Sequence, residues 1–422
     1  MTVWSSGNQK DYGFYKYDQI SSNKNIVKRS SAIFLIKHSQ KQEIYTELHF
    51  LNYWKIKRNL TSLKANLNIR KLNGENLLSE NINISEVKSY CIKIGQIISK
   101  KNIKEFTGTA EIEIFSEKNL FVPNPAAFVR YYGKNWHTGA HSTARYLSES
   151  SGDNKDIVSK AQEAYESNMT LFPEKKLKCY IVLHNGLIDS SNLKVSFVAT
   201  NHQCKEIKKK LKLTKMKKGE TVILCIEDFL NYKEFLDGKR GMLAIHYQSK
   251  GVFPRIMYYH QRTSGEISIE HSNFGRSKMS SEDSFTSKKG ERNLMYSMPV
   301  LPKGYKTEVD IFPTYPNQST PYYLICEKSN FNGEQLSTKE IEISKLSPFC
   351  QFAEKGDDQT TFLNINYSHN NKLPNRFHTA NYFSKNNTLP GILLNGPTPK
   401  HGTPAHTRWS PFFYENNKLN TK

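Results

Sequence analysis

A histidine followed by Ser or Thr, with an arginine shortly after it, occurs three times in this chain. The segments are "GAHSTAR" at 139–145, "EHSNFGR" at 270–276 and "PAHTR" at 404–408. They supply His141 with Arg145, His271 with Arg276, and His406 with Arg408. Upstream of each lies an aromatic segment that carries another arginine: Arg130, Arg255 and Arg376. An imidazole beside a guanidinium suits recognition of an anion, because the planar Arg fork grips carboxylate or phosphate through two parallel hydrogen bonds. Only twelve of the sixty basic residues are Arg, so their recurrence at corresponding positions points to a geometric need that Lys does not meet. The aromatic residues nearby, Tyr131, Tyr132, Trp136, Tyr258, Tyr259 and Trp409, would serve an acidic sugar ring. Each set also has a plainer reading. The histidines can end strands and bond neighbouring backbone, and the arginines can brace the fold against carboxylates or rings.

Catalytic patterns are missing. The sequence has no GxSxG, Walker A, GxGxxG opening a helix, or HExxH. His137 and His141 have the spacing of a helical metal pair, but the residues between them read as strand and loop. Adjacent acids at Asp357-Asp358 and Glu282-Asp283 lie in loops and do not make a glycosidase pair. No catalytic residue, metal or cofactor is therefore expected. The leading expectation is a non-enzymatic binding or assembly protein, with an anionic carbohydrate or a partner protein as ligand. A sugar-modifying or metal-assisted enzyme using histidines at strand ends is the first alternative, and a self-assembling structural protein is the second.

The elements that must position these residues are strands. Period-two alternation recurs throughout, as in Ile112/Ile114, Leu243/Ile245/Tyr247 and Leu363/Ile365/Tyr367. It is also repeated at long range. "LNGENLLSENINISEVKSYCIKI" at 72–94 matches "FNGEQLSTKEIEISKLSPFCQF" at 331–352 without a gap, 259 residues apart. A looser middle copy opens at Asn201, and Leu211 and Leu213 supply its alternating pair. Asn73-Gly74 and Asn332-Gly333 predict hairpins in which both turn residues reach positive φ. Short strands with frequent turns predict an all-β chain of three tandem antiparallel, Ig-like Greek-key sandwiches. The expected division is an N-terminal extension over 1–43, in which "AIFLIKH" can add a strand, and sandwiches over 44–147, 177–274 and 305–422. A connector over 148–176 and a linker over 275–304 separate them. Residues 151–169 predict one helix in that connector, capped by Asp153 or Asn154.

The pattern in "GMLAIHYQSKGVFPRIMYYHQR", a strand, a Ser-bearing turn, a Pro and a strand closing near a His, resembles the small β-sandwiches of the sensory-rhodopsin-transducer type. It is also similar to Ig-like bacterial repeats. The resemblance implies a sandwich with a binding or signalling role, and it transfers no functional residue.

The formal charge of +21 comes mostly from Lys, in a chain also rich in Asn and Ile, so nucleic acid is not the expected partner. The run at 205–218 carries eight Lys, which alternation turns to solvent at a sheet edge. Six Cys match no zinc spacing, and those in "YCIKI" and "VILCI" read as small buried apolar residues. With no apolar leader and no apolar run of about 20 residues, no membrane span and a cytoplasmic location are expected.

Overall fold

A computed structural model describes residues 26–141, 144–163, 166–253, 255–271, 273–274, 284–286, 293–313, 322–343, 350–355, 361–368, 372–374, 377–384, 391–395, 412–415 and 418–421. The chain is all-β and antiparallel. The first sandwich contains β1 (Arg29–Ser39), β2 (Tyr45–Leu51), β3 (Leu63–Lys71), β4 (Asn76–Ile82), β5 (Ser89–Lys93), β6 (Glu105–Ser116), β7 (Ala127–Tyr132) and β8 (His137–His141). Its sheets run β1-β6-β3-β4 and β5-β2-β7-β8. Two short helices, α1 (Tyr53–Arg58) and α2 (Ile94–Ser99), lie in the connections. After β9 (Arg145–Tyr146), helix α3 (Lys155–Ser159) and β10 (Ala161–Glu163), the pattern starts again.

The second sandwich contains β11 (Glu166–Leu171), β12 (Leu177–His184), β13 (Ser190–Thr200), β14 (Glu206–Met216), β15 (Thr221–Cys225), β16 (Gly241–Lys250), β18 (Met257–Arg262) and β19 (Ile267–His271), with the short β17 (Val252–Phe253) between the last three. Its sheets run β14-β13-β16-β11 and β15-β12-β18-β19. After β20 (Asn273–Phe274) and β21 (Ser284–Thr286), the third contains β22 (Asn293–Val300), β23 (Lys306–Pro313), β24 (Tyr322–Asn330), β25 (Gln335–Ile343), β26 (Cys350–Lys355), β27 (Thr361–Ser368), β29 (Phe377–Ser384) and β30 (Gly391–Asn395). Its sheets run β22-β27-β24-β25 and β26-β23-β29-β30, while β28 (Lys372–Pro374) pairs with β21. A hairpin of β31 (Phe412–Glu415) and β32 (Lys418–Thr421) follows. In all three copies, strands one, six, three and four form one sheet, and strands five, two, seven and eight the other.

The repeat is reproduced at atomic detail. Lys71 N donates to Glu75 O at 2.9 Å and Gly74 N to Lys71 O at 3.0 Å. In the third sandwich, Asn330 N donates to Glu334 O at 3.0 Å and Gly333 N to Asn330 O at 3.1 Å. Both hairpins carry a register shift at the matching place, after Ile69 and after Lys328. Only the glycine of each Asn-Gly pair has positive φ, +85° at Gly74 and at Gly333. The turn is thus a three-residue loop closed by a left-handed Gly and a bulge, not the two-residue turn expected from the sequence. The Asx contact from Glu75 N to Asn73 Oδ1, at 3.0 Å, holds Asn73 at negative φ.

The sandwich core is the inward set of the alternation. Phe34, Leu67, Ile69, Ile112 and Ile114 from one sheet meet Leu48, Phe50, Ile92, Val129 and Tyr131 from the other. The same cluster continues into Val182, Met257, Tyr259, Ile267 and Ile269 of the second sandwich. The described residues within 24–201 and 206–272 accordingly form one compact unit, and those from Asn273 onward belong to another. Within the first unit Lys37 Nζ lies 4.3 Å above the Tyr259 ring and 3.0 Å from Gln261 Oε1. Burial pushes its ammonium down to about 8. The β3–β4 turn docks against the β14–β15 turn, with Thr221 N donating to Leu72 O at 2.8 Å.

That docking makes Gly74 a test of the fold. A Cβ there would lie 2.3 Å from Lys218 O, on top of the positive-φ strain. Gly238 has φ +73° with nothing within 4 Å of its Cβ position. Gly238→Ala should cost about 1 kcal/mol from strain alone, and Gly74→Ala about 1–3 kcal/mol more from the clash. Equal costs in urea unfolding would show that the two turns do not touch.

Three expectations are corrected. Residues 151–169 are not one helix. Glu149–Ser151 form a 3-10 turn, α3 spans five residues capped by Asn154, and 161–163 and 166–171 are strands. β11 pairs with β16, and this tertiary pairing outweighs the weak helical pattern of a short window. Residues 29–39, placed in an extension to which "AIFLIKH" adds a strand, do form a strand, but β1 belongs to the first sandwich, paired with β6 along its whole length. Residues 293–300, read as linker, form β22. The Lys run lies on β14, which ends its sheet as expected, with Leu211 opposite Val195 and Leu213 opposite Leu193. No helix among the described residues is long and apolar enough to cross a membrane.

Candidate functional site

Among the described residues, Arg145 and Arg255 stand apart from Arg130 and His141. Arg145 is 1% exposed and forms a bidentate pair with Asp153, at 2.6 and 2.7 Å. Its guanidinium also lies 5.9 Å from the Phe253 ring, and that of the half-buried Arg255 lies 6.0 Å from the same ring. Arg255 borders a cavity of about 10 Å³, shared with Val182, His184 and Tyr247, which is room for one water at most. These two arginines brace the seam where β9 pairs with β17. Tyr131, Tyr258 and Tyr259, expected near a ligand, are 0–2% exposed and belong to the core. His271 ends β19 opposite Met257. Arg276, Arg376, His406, Arg408 and Trp409 lie outside the described residues.

Arg130 and His141 do share a surface, the outer face of the β5-β2-β7-β8 sheet. Because Leu48, Phe50, Ile92, Val129 and Ala140 point into the core, their strand neighbours point out. The outer rows therefore hold Glu47 and His49 on β2, Cys91 and Lys93 on β5, Phe128, Arg130 and Tyr132 on β7, and His137 and His141 on β8. Register places Glu47 between Lys93 and Arg130, and His49 between Cys91 and Phe128. Phe128 in turn lies opposite His141.

The contacts on this face follow the register. Arg130 Nη1 lies 3.2 Å from Glu47 Oε2, with its guanidinium 4.9 Å from the Tyr132 ring. His49 Nε2 lies 3.3 Å from the same Glu47 Oε2 and 3.8 Å from Cys91 Sγ. The His49 ring stacks on Phe128 at 4.7 Å and 11°. Phe128 is 43% exposed and the Arg130 side chain 41%. Cys91 is exposed, which corrects its reading as a buried apolar residue. Partial burial, and next the Glu47 charge, push its thiol up from the ordinary value. Glu47, His49 and Cys91 each offer one donor atom, all within 4.8 Å of one another, so they are the residues here that could hold a metal.

Sequence reasoning missed Glu47, His49, Cys91 and Phe128. A signal was present in "TELHF", where an acid and a His two residues apart on a strand must share a face. A cleft of about 400 Å³ in the third sandwich is a second concavity, with Lys328 and Glu354 paired at 3.8 Å among its lining residues.

The fold and this face define a class: a tandem β-sandwich protein with a polar and aromatic sheet surface. No family model and no curated protein matches the sequence. Among solved structures, a Bacteroides uniformis β-glucuronidase is similar at 9% identity and TM-score 0.14, over 63% of this chain and 28% of that one. The tetra-tandem repeat in the extending region of a large adhesion protein is similar at 6% identity and TM-score 0.10, over 87% and 74%. The chicken CNTN1 FN1–FN3 domains follow at 8% and 0.12, over 79% and 90%. The chain thus spans little more than a quarter of the glucuronidase. At these TM-scores the likenesses carry no argument, and the fold rests on its own strand pairings.

Proposed function

We propose that the chain is a binding protein that recognises an anionic carbohydrate on the outer face of the β5-β2-β7-β8 sheet. The observation that carries this reading is Phe128 and Arg130 standing exposed on one strand face, two residues apart, with His141 across from Phe128. A ring 43% exposed on a sheet can stack against the apolar face of a sugar, and a guanidinium beside it can take a carboxylate or sulfate. An open sheet face binds by contact and charge, without closing a substrate away from water.

Polygalacturonate and heparin, with neutral amylose as control, are the probes. The acidic chains should bind and amylose should not. Phe128→Ala and Arg130→Ala should each weaken binding by about tenfold or more. Phe128→Ala should stay within about 1 kcal/mol of wild-type stability. Arg130→Ala should cost about 1–2 kcal/mol, because it takes one partner from the Glu47 carboxylate, whose side chain is 8% exposed, and leaves His49 beside it. Failure of both acidic chains to bind at low salt would overturn the reading. Sedimentation showing concentration-dependent self-association through this face would replace it with an assembly role.

A further inference from the structure

We propose that Glu47, His49 and Cys91 bind one borderline-soft divalent ion, with Zn²⁺ the best match, and that the ion competes with Arg130 for Glu47. The argument is geometric. With Zn–ligand lengths of about 2.3 Å to sulfur and about 2.1 Å to nitrogen or oxygen, tetrahedral edges are about 3.4 Å for N to O and about 3.6 Å for S to N. The corresponding separations here are 3.3 Å for His49 Nε2 to Glu47 Oε2 and 3.8 Å for Cys91 Sγ to His49 Nε2. Two edges of one tetrahedral face are thus in place, all three donor atoms lie within 4.8 Å of one another, and the fourth corner is left to water.

Thiolate, imidazole and carboxylate together select zinc-like ions over Mg²⁺ or Ca²⁺, which prefer oxygen alone. The backbone fixes the set beforehand. Glu47 and His49 alternate on β2, Cys91 is the direct cross-strand partner of His49, and the stack on Phe128 sets the plane of the imidazole. The side-chain exposures of 24% for His49 and 8% for Glu47 describe a shallow site with a solvent-facing opening at the exposed Cys91.

The repeat supplies an internal comparison. Each sandwich has a cysteine on its fifth strand, but Cys225 pairs with Tyr180 and Cys350 with Ile311. Of these three, Cys91 alone has a histidine across from it; the Cys179–His260 cross-strand pair elsewhere is fully buried. Glu47 Oε2 is also the oxygen that Arg130 holds at 3.2 Å. An ion bound there takes over as counter-charge, and the guanidinium becomes available to an external anion. The metal site is measured with no glycan present, so its failure and that of the glycan reading are told apart.

The test is Co²⁺ and Zn²⁺ titration of the full chain under reducing conditions. Co²⁺ should give a thiolate charge-transfer absorption that Zn²⁺ abolishes at one equivalent and Mg²⁺ does not. Cys91→Ser should lose the band, and His49→Gln should weaken Co²⁺ binding by more than about tenfold, both with unchanged urea unfolding. Arg130→Gln should tighten binding several-fold by removing the competitor. No thiolate band in the wild-type chain, or a band that survives Cys91→Ser, would overturn the site. Unchanged or weaker binding in Arg130→Gln would overturn the competition.

Discussion

Asp153→Ala should destabilise the first unit by about 3–5 kcal/mol, the cost of leaving a buried guanidinium without its partner. Arg145 and Asp153 have side-chain exposures of 1% and 3%, and both carboxylate oxygens are engaged by the guanidinium. Ser148 N donates to Asp153 Oδ2 as well, at 2.8 Å, so the carboxylate also pins the backbone of the connection. Removing both charges together costs less than removing one. Arg145→Met with Asp153→Leu should be milder than Asp153→Ala, because no unpaired ion remains in the interior. Urea unfolding of the two variants checks this. A loss below about 1 kcal/mol for Asp153→Ala would mean that water reaches the pair as it does a surface salt bridge. Arg130→Ala is the contrasting case: its side chain is 41% exposed and Glu47 keeps His49 as a partner, so it should cost less than Asp153→Ala.

Mild acid should destabilise the same unit by several kcal/mol. Burial lowers His184 and His260 to about 4, far below the ordinary histidine value. His184 Nδ1 meets Thr221 Oγ1 at 2.9 Å, and His260 Nε2 donates to Thr170 O at 3.0 Å. The remaining ring nitrogens, His184 Nε2 and His260 Nδ1, are buried with no hydrogen-bond partner. Both imidazoles are thus held neutral. Between about pH 6.5 and 4 the unfolded chain binds protons that the folded chain refuses, so stability falls as pH drops through that window. At pH 5 each histidine should cost about 2 kcal/mol relative to pH 7.5, and the pair about 4. His260→Gln should remove close to half of the pH dependence. Wild-type urea midpoints that coincide at pH 5 and 7.5 would show that one or both rings accept a proton in place.

The composition of the candidate face was partly legible. Alternation in "TELHFL" and "AFVRYY" is enough to put Glu47 beside His49, and Phe128 beside Arg130 and Tyr132. Cys91 was misread because cysteine counted as apolar makes "YCIKI" look like a continuous buried run. In fact Tyr90, Ile92 and Ile94 are the inward or partly inward set, and Cys91 and Lys93 the outward one. The helix over 151–169 failed for a related reason. A few apolar residues at helical spacing carry little weight once β16 offers a strand partner.

The sequence by itself determined the β class, the three copies and the shared hairpin of Asn73-Gly74 and Asn332-Gly333, because period two and turn chemistry are local properties that repeat with the residues. Tertiary structure alone decided which arginine is a brace and which is a surface group. Arg130 and Arg145 lie fifteen residues apart on similar strands, yet one faces outward and the other is sealed where the second sandwich meets the first. It also decided that His49 faces Cys91 across two strands, 42 residues apart in the chain. Burial and cross-strand register depend on segments distant in sequence, and no local pattern of side chains encodes them.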